Sequence, residues 1–376
     1  MMKKLKVFDL GNQKSDEGLG TALEFIIMGE DSIAINHLKQ LYNSTQNSLV
    51  KSEAANLLFD LYFTRSEWSQ IETDGLLEEP SIEKSNRIIA RSCGMSEPPL
   101  YSFPESPIHT PMKLSFSGCP TIEVLINGKK KFFWLDTGAG MTVISSTLAN
   151  ECSMNLLKEK EMVVGNSTNQ DLDTDLAFIH SIKIKDLLIR NQPALVLSDN
   201  LLEIPLPDKK GNMVIDGIIG WDIIQHLHLE IDYKAKEVLI QKPITKENKD
   251  RNLFFCGAPF IKVSSLNEKP LYFGLDTGAN KTHFGQPLLS KLDNLVVENR
   301  LIHAGGIGDV KEREIQCINY LSIQFNSQQD ITFANVRMML SDFGSFFTPD
   351  GVFGSDIAKD GRLIIDYANR KVDVFR

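Results

Sequence analysis

Two aspartates in this sequence, Asp136 and Asp276, each close an apolar run and are each followed by Thr and Gly. The stretches are FFWLDTGAGMTVIS at 132–145 and LYFGLDTGANKTHF at 271–284. One Asp-Thr-Gly is an ordinary turn, in which Asp caps the backbone and Gly permits the bend. Two copies brought face to face could do chemistry. Two adjacent carboxyls cannot both ionise cheaply, so they share a proton and titrate as a pair. The charged member can then take a proton from a water while the protonated member donates to a carbonyl oxygen, which suffices to hydrolyse an amide.

The spacing of other blocks shows that the pair is not a coincidence. IDGIIGWD at 215–222 matches PDGVFGSD at 349–356, and EIDYKAKEVLI at 230–240 matches IIDYANRKVDV at 364–374. Asp136 and Asp276 stand 140 positions apart, while Gly220 and Gly354, like Asp232 and Asp366, stand 134 apart. With average residue usage, a given Asp-Thr-Gly arises on the order of once in several thousand positions. Three blocks recurring in one order are a duplication. If the halves pack about a pseudo-twofold axis, equivalent residues near it meet, and Asp136 faces Asp276.

The elements that must position these residues change character along the chain. From about Asp16 to Ala90, residues Ile33, Leu38 and Leu41, then Ala54, Leu57, Leu58 and Leu61, recur at helical steps, predicting three to five short antiparallel helices. Glu30-Asp31-Ser32 can start one of them, and the polar run at 43–48 can stop it. Pro98, Pro99, Pro104, Pro107 and Pro111 lie among Ser and Gly and read as a linker over 92–111. Beyond it come short β-branched and aromatic runs. TIEVLINGKKKFFWLD is expected to be a hairpin turning at Asn127-Gly128. The expected division is a helical segment with its linker at 1–105 and two β domains at 106–242 and 243–376.

DTGAGMTVI and DTGANKTHF resemble the active-site loop of the aspartic proteases. Ala after the Gly is closer to the retropepsin-like branch than to the pepsins. IIGWD and VFGSD resemble the element of two apolar residues and a Gly that packs behind that loop, and LIHAGGIGDV at 301–310 resembles a glycine-rich flap. The resemblance covers about 112–376 as two copies. It implies an α+β chain: a helical N-terminal domain followed by two closed retropepsin-like β-barrels in a pseudo-twofold, pepsin-like bilobal arrangement. Asp136 and Asp276 would be the catalytic pair. Thr137 and Thr277 would hydrogen-bond across the axis, Gly138 and Gly278 would bring backbone N–H groups to the carboxyls, and Ala139, Thr142, Ala279 and Thr282 would complete the loops. Gly165 in the first half and Gly305, Gly306 and Gly308 in the second are the flap candidates.

The same resemblance implies no metal and no cofactor. It has departures: Gly140-Met141 and Asn280-Lys281 stand where retroviral enzymes carry two acids, and Trp221-Asp222 and Ser355-Asp356 replace their Arg-Asn. Retroviral enzymes obtain their second half by dimerising, whereas this chain carries both.

The totals bound what else the protein does. At 376 residues, with 42% hydrophobic and 24% charged residues, the chain suits two or three ordinary globular domains. A net charge of −9 with no basic block argues against nucleic acid as a partner. Cys93, Cys119, Cys152, Cys256 and Cys317 are widely spaced, and read as free thiols rather than a disulfide framework or zinc site. The start, MMKKLKVFDLGNQKSDEG, is too short in apolar residues for a signal core, and no stretch approaches a membrane span of about 20 residues. A cytoplasmic protein is expected, or an exported or periplasmic one if a leader is missing. DLDTD at 171–175 lacks the Gly and Glu of a calcium loop and reads as a solvated loop, AGGIGD at 304–309 lacks phosphate-loop spacing, and His226 and His228 read as structural residues on a strand face.

The expectation is an aspartic endopeptidase acting on extended peptides. The alternatives are a catalytically inactive, peptide-binding pseudoprotease and a homodimer pairing like halves. The helical segment is expected either to bind a protein partner or to cover the cleft as an inhibitory element.

Overall fold

The computed structural model describes residues 17–115, 118–159, 162–165, 171–205, 211–246, 250–292, 295–306, 309–326, 329–339, 343 and 346–376. Gly308 and the residues before 17 therefore lie outside it.

The N-terminal region is helical: α1 (Glu17–Ile27), α2 (Asp31–Ser44), α3 (Ser48–Thr64), α4 (Trp68–Thr73) and α5 (Lys84–Gly94). α2 starts at Asp31 and ends at Ser44, where the sequence supplies the acid and the polar run. Asn47 caps α3 by accepting the N–H groups of Leu49 and Val50, satisfying donors that have no partner within the helix. Leu23, Ile26, Leu38, Leu58, Phe59 and Ile71 make the buried face.

The helices are tied to the β region by polar contacts. Asp31, almost fully buried, pairs with Arg370 and lies 3.7 Å from Arg65. Asp60 accepts the Gly257 N–H at 2.7 Å, Gln225 donates to the Thr64 carbonyl at 2.6 Å, and the Val163 N–H donates to Ser85 Oγ at 3.0 Å.

The proline-rich stretch is not a plain linker. Leu100–Ser102 pairs with residues 188–190, and Ile108–Leu114 joins the sheet between Glu237–Gln241 and Pro120–Ile126. Tyr101 and Ile108 supply the local reason, since each packs into or against the β core between the prolines.

Each half then builds six strands. In the first these are β1 (Pro120–Ile126), β2 (Lys129–Leu135), β3 (Val143–Ser145), β4 (Asp175–Ile184), β5 (Leu187–Leu197) and β6 (Gly217–Ile219). In the second they are β7 (Pro259–Ser264), β8 (Pro270–Leu275), β9 (His283–Phe284), β10 (Asp309–Asn326), β11 (Gln329–Met338) and β12 (Gly351–Phe353). The first set closes in the order β1-β2-β6-β3-β5-β4 and back to β1. The second closes in the matching order β7-β8-β12-β9-β11-β10 and back to β7. Parallel and antiparallel pairings also correspond, with β2–β6 and β8–β12 parallel, and β3–β5 and β9–β11 parallel. Closure pairs every edge strand of the six.

Asn127 and Gly128 turn the β1–β2 hairpin with φ of 47° and 82°, the left-handed pair that a tight hairpin requires. Strand alternation sends Phe133, Leu135, Ile144 and Ile219 into the first core and Phe273, Leu275, Phe284 and Phe353 into the second.

The halves also share a sheet. His228–Asp232 pairs antiparallel with Arg362–Asp366, with Glu230 opposite Ile364. Those two residues are 134 positions apart, the offset of the repeats, so each strand pairs with its own equivalent. Some small motifs fall differently than expected. Residues 171–173 and 175–184 are strands, with Thr174 buried between them, so DLDTD is not a free loop; its Thr174 Oγ1 donates to the Val196 carbonyl at 3.2 Å. His226 lies in the turn after the short helix Trp221–Ile224, its ring tilted against that of Tyr101, rather than on a strand.

Candidate active site

Each aspartate sits where a barrel strand gives way to a tight loop. The Asp136 N–H donates to the Ile219 carbonyl at 3.0 Å, and the Asp276 N–H donates to the Phe353 carbonyl at 2.9 Å. The apolar-Gly blocks therefore hold the loop roots, β6 behind the first and β12 behind the second. Trp221 N–H to Ala139 O at 2.7 Å and Ser355 N–H to Ala279 O at 2.8 Å fix the far sides of the loops. Cβ atoms on Gly220 or Gly354 would meet backbone atoms at 2.6 Å, which is why glycine stands at both positions.

The loops meet. The Thr137 N–H donates to Thr277 Oγ1 and the Thr277 N–H to Thr137 Oγ1, both at 3.0 Å. The Thr137 hydroxyl donates to the Leu275 carbonyl and the Thr277 hydroxyl to the Leu135 carbonyl, both at 2.7 Å. Both threonines are buried.

Beside them the carboxyls of Asp136 and Asp276 hydrogen-bond to one another. Gly138 N–H donates to Asp136 Oδ1 at 2.8 Å, and Ala279 N–H donates to Asp276 Oδ1 at 3.0 Å. Gly278 also directs its N–H to Asp136, from across the interface. A Cβ on Gly138 would lie 2.8 Å from Asp276 Cγ, and one on Gly278 would lie 2.5 Å from Asp136 Oδ2. Any side chain at either position would drive the carboxyls apart.

Both aspartates keep some solvent-exposed surface, but the surrounding protein removes most of the water that would stabilise charge. Burial raises the pKa of Asp136, partly offset by the N–H donors around it. Burial first, and then the charge of Asp136, hold Asp276 well above the carboxylate range. Two carboxyls held this close resist ionising together. Cys119 lies against the pair, its Sγ donating to the Leu135 carbonyl at 3.8 Å; burial pushes its thiol far up, so it is an inert packing group.

Behind the loops lie carboxylates whose role the sequence left unassigned. Asp222 accepts the Thr142 N–H and hydroxyl at 2.9 Å each, the Ile223 N–H at 3.0 Å and the Gln192 side-chain N–H at 2.9 Å. Burial nevertheless pushes it up to about 7. Asp356 accepts the Thr282 hydroxyl at 2.7 Å. Asp216 and Asp350 accept the Phe132 and Tyr272 N–H groups at 2.9 and 2.8 Å. All four fall in the repeated blocks, so their recurrence at one offset is the signal that could have found them.

Gly165 pairs with Asp171 in a short hairpin, Val163–Gly165 with Asp171–Asp173. Gly305 and Gly306 pair with Val310 and Asp309 in a longer one. Among the described residues no cluster of His, Cys, Asp and Glu could hold a metal ion, and no helix is long and apolar enough to cross a membrane.

Residues 122–223 match the family model described as aspartyl protease. That span contains the Asp136 loop and the Gly220-Trp221-Asp222 block. A search of curated proteins finds no match. Among solved structures, a retropepsin-like aspartic protease from Rickettsia conorii matches with 16% identity and a TM-score of 0.25, over 38% of this chain and 93% of that one. Residues 122–223 are thus similar to aspartyl proteases.

Proposed function

We propose that the chain is an aspartic endopeptidase whose catalytic pair is Asp136 and Asp276. The observation that carries this reading is the mutual hydrogen bond of the two carboxyls, held by reciprocal threonine bonds between the halves. On this reading the charged carboxylate removes a proton from a water placed between the two groups. The other carboxyl donates its proton to the scissile carbonyl oxygen, giving a tetrahedral diol. Proton return to the amide nitrogen then releases the amine. The N–H groups of Gly138, Gly278 and Ala279 hold the carboxyls in place through both steps.

We also propose the organisation that serves this chemistry: an N-terminal unit at 1–105, with its helices between 17 and 94 followed by the Pro-rich stretch, and two β domains at 106–242 and 243–376, related by a pseudo-twofold axis through the threonine pair. The matched strand orders and the self-complementary pairing of Glu230 with Ile364 support it. Extended peptides would add main-chain hydrogen bonds to the two hairpins bearing Gly165 and Gly305–Gly306. Digestion of a peptide library tests the mechanism: cleavage should persist after serine- and cysteine-directed alkylating reagents and with a metal chelator, and should vanish in Asp136→Asn. Cleavage that depends on an added metal ion would contradict it.

A further inference from the structure

The registers of the two barrels place equivalent residues on the face that carries the aspartates. Trp134 precedes Asp136 by two residues and so points to the same side of β2. Trp134 lies opposite Ile218, Ile218 opposite Val143, and Val143 opposite Leu195, forming one row across four strands. In the second half the row is Gly274, Val352, His283 and Arg337. The alternate residues Ile144, Val196, Phe284 and Val336 fill the barrel cores, so the rows face outward from the cores, with the Phe343 ring packed against Gly274 at the start of the second row. At the loop end of each row, five residues after the aspartate, stand Met141 and Lys281.

The rows differ in chemistry. Trp134, Ile218, Val143, Leu195 and Met141 are apolar and buried. Lys281 is exposed, and His283 and Arg337 are partly exposed. Among the described residues neither Lys281 nor Arg337 forms an ion pair. Asp356 is the carboxylate nearest to Lys281 in influence, but Asp222 occupies the matching place in the first half, so it does not account for the difference. Burial and the neighbouring Arg337 keep His283 neutral near pH 7, its pKa lowered to about 4. The second row thus adds two cations and an imidazole where the first has no ionisable group.

We infer that the second half's side of the site binds an acidic side chain, Asp or Glu, of the substrate peptide. This rests on the protease reading of the same site. It makes Arg337 and Lys281 the residues that set specificity, with Arg337 reaching the carboxylate from β11 and Lys281 from the loop.

The test uses peptide pairs that differ only by Glu against Gln at successive positions around a scissile bond. At one position Glu should raise kcat/KM by about tenfold over Gln, an advantage that shrinks with added salt. Replacing Lys281→Met and Arg337→Leu together should bring the pair within about twofold, and Arg337→Glu should favour Lys over Glu there. Circular dichroism and thermal melting establish that the variants are folded; if they are not, the wild-type Glu/Gln ratio decides alone. Equal cleavage of all pairs overturns the inference and leaves the protease reading standing. If nothing is cleaved, the same pairs are compared by fluorescence anisotropy: tighter binding of the Glu peptides upholds the acidic pocket while sinking the protease reading, and equal binding overturns the inference as well.

Discussion

Thr137 and Thr277 exchange hydrogen bonds, each main-chain N–H donating to the other's Oγ1 at 3.0 Å, and each hydroxyl donates onward to the opposite strand's leucine carbonyl. Four buried bonds thus cross between halves at the roots of the two loops, and they set how far apart Asp136 and Asp276 can sit. Thr137→Val or Thr277→Val keeps the volume but strands a buried N–H on the other side. Each should cost about 2–4 kcal/mol in denaturant unfolding. The double variant should cost clearly less than the sum, because both remove the same network. Serine at either position should restore most of the stability.

The carboxyl pair should reduce stability at neutral pH. Burial holds both pKa values above the unfolded ones. The native state therefore keeps a proton that the unfolded chain releases at about pH 4, and stability falls as pH rises above that point. Asp276→Asn removes this titration. Its melting temperature should match wild type below about pH 4 and exceed it increasingly toward pH 7, as read by thermal melts across the range. A constant difference at all pH values would contradict the account.

Asp222 anchors its loop more heavily than Asp356 does. Four donors converge on Asp222, whereas Asp356 takes the Thr282 hydroxyl and backbone. Asp222→Ala should therefore destabilise by about 3–5 kcal/mol and Asp356→Ala by roughly half of that. Asp222→Asn rescues only in part, since its oxygen can accept but its NH2 would stand against an N–H donor on the other side. Chemical denaturation of the three variants checks the ranking.

The helical segment is locked to the second half by Asp31, which sits between Arg370 and Arg65. Asp31→Ala leaves Arg370 partly buried with its nearest acid removed, and should cost about 3–5 kcal/mol. Cleavage by trypsin between the helices and the barrels should speed up in this variant. Exposed Arg91, paired with exposed Glu78, should tolerate Ala within about 0.5 kcal/mol.

Much of this was legible in the sequence. The duplication, the hairpin at Asn127-Gly128 and the helical texture before residue 95 come from local pattern, and local pattern is where propensity and periodicity act. The partnership of Asp136 with Asp276 was legible only because both copies lie in one chain in register. What stayed hidden depends on contacts far apart in sequence. The Pro-rich stretch reads as linker because prolines punctuate it, yet Tyr101 and Ile108 between them find a β core already built. Asp222 looked like a departure from a familiar motif, and only Gln192, thirty positions away, shows it to be an anchor. The basic row at Lys281, His283 and Arg337 needs the β9–β11 register, which no periodicity reveals.

The central claim is that Asp136 and Asp276 act as one unit. The most direct measurement is single-turnover cleavage of one good peptide by wild type, Asp136→Asn, Asp276→Asn and the double variant. Each single variant should lose at least about a thousandfold in rate, and the double should lose scarcely more, since either carboxyl alone lacks its proton partner. If one single variant keeps wild-type cleavage, the two aspartates do not form a shared site.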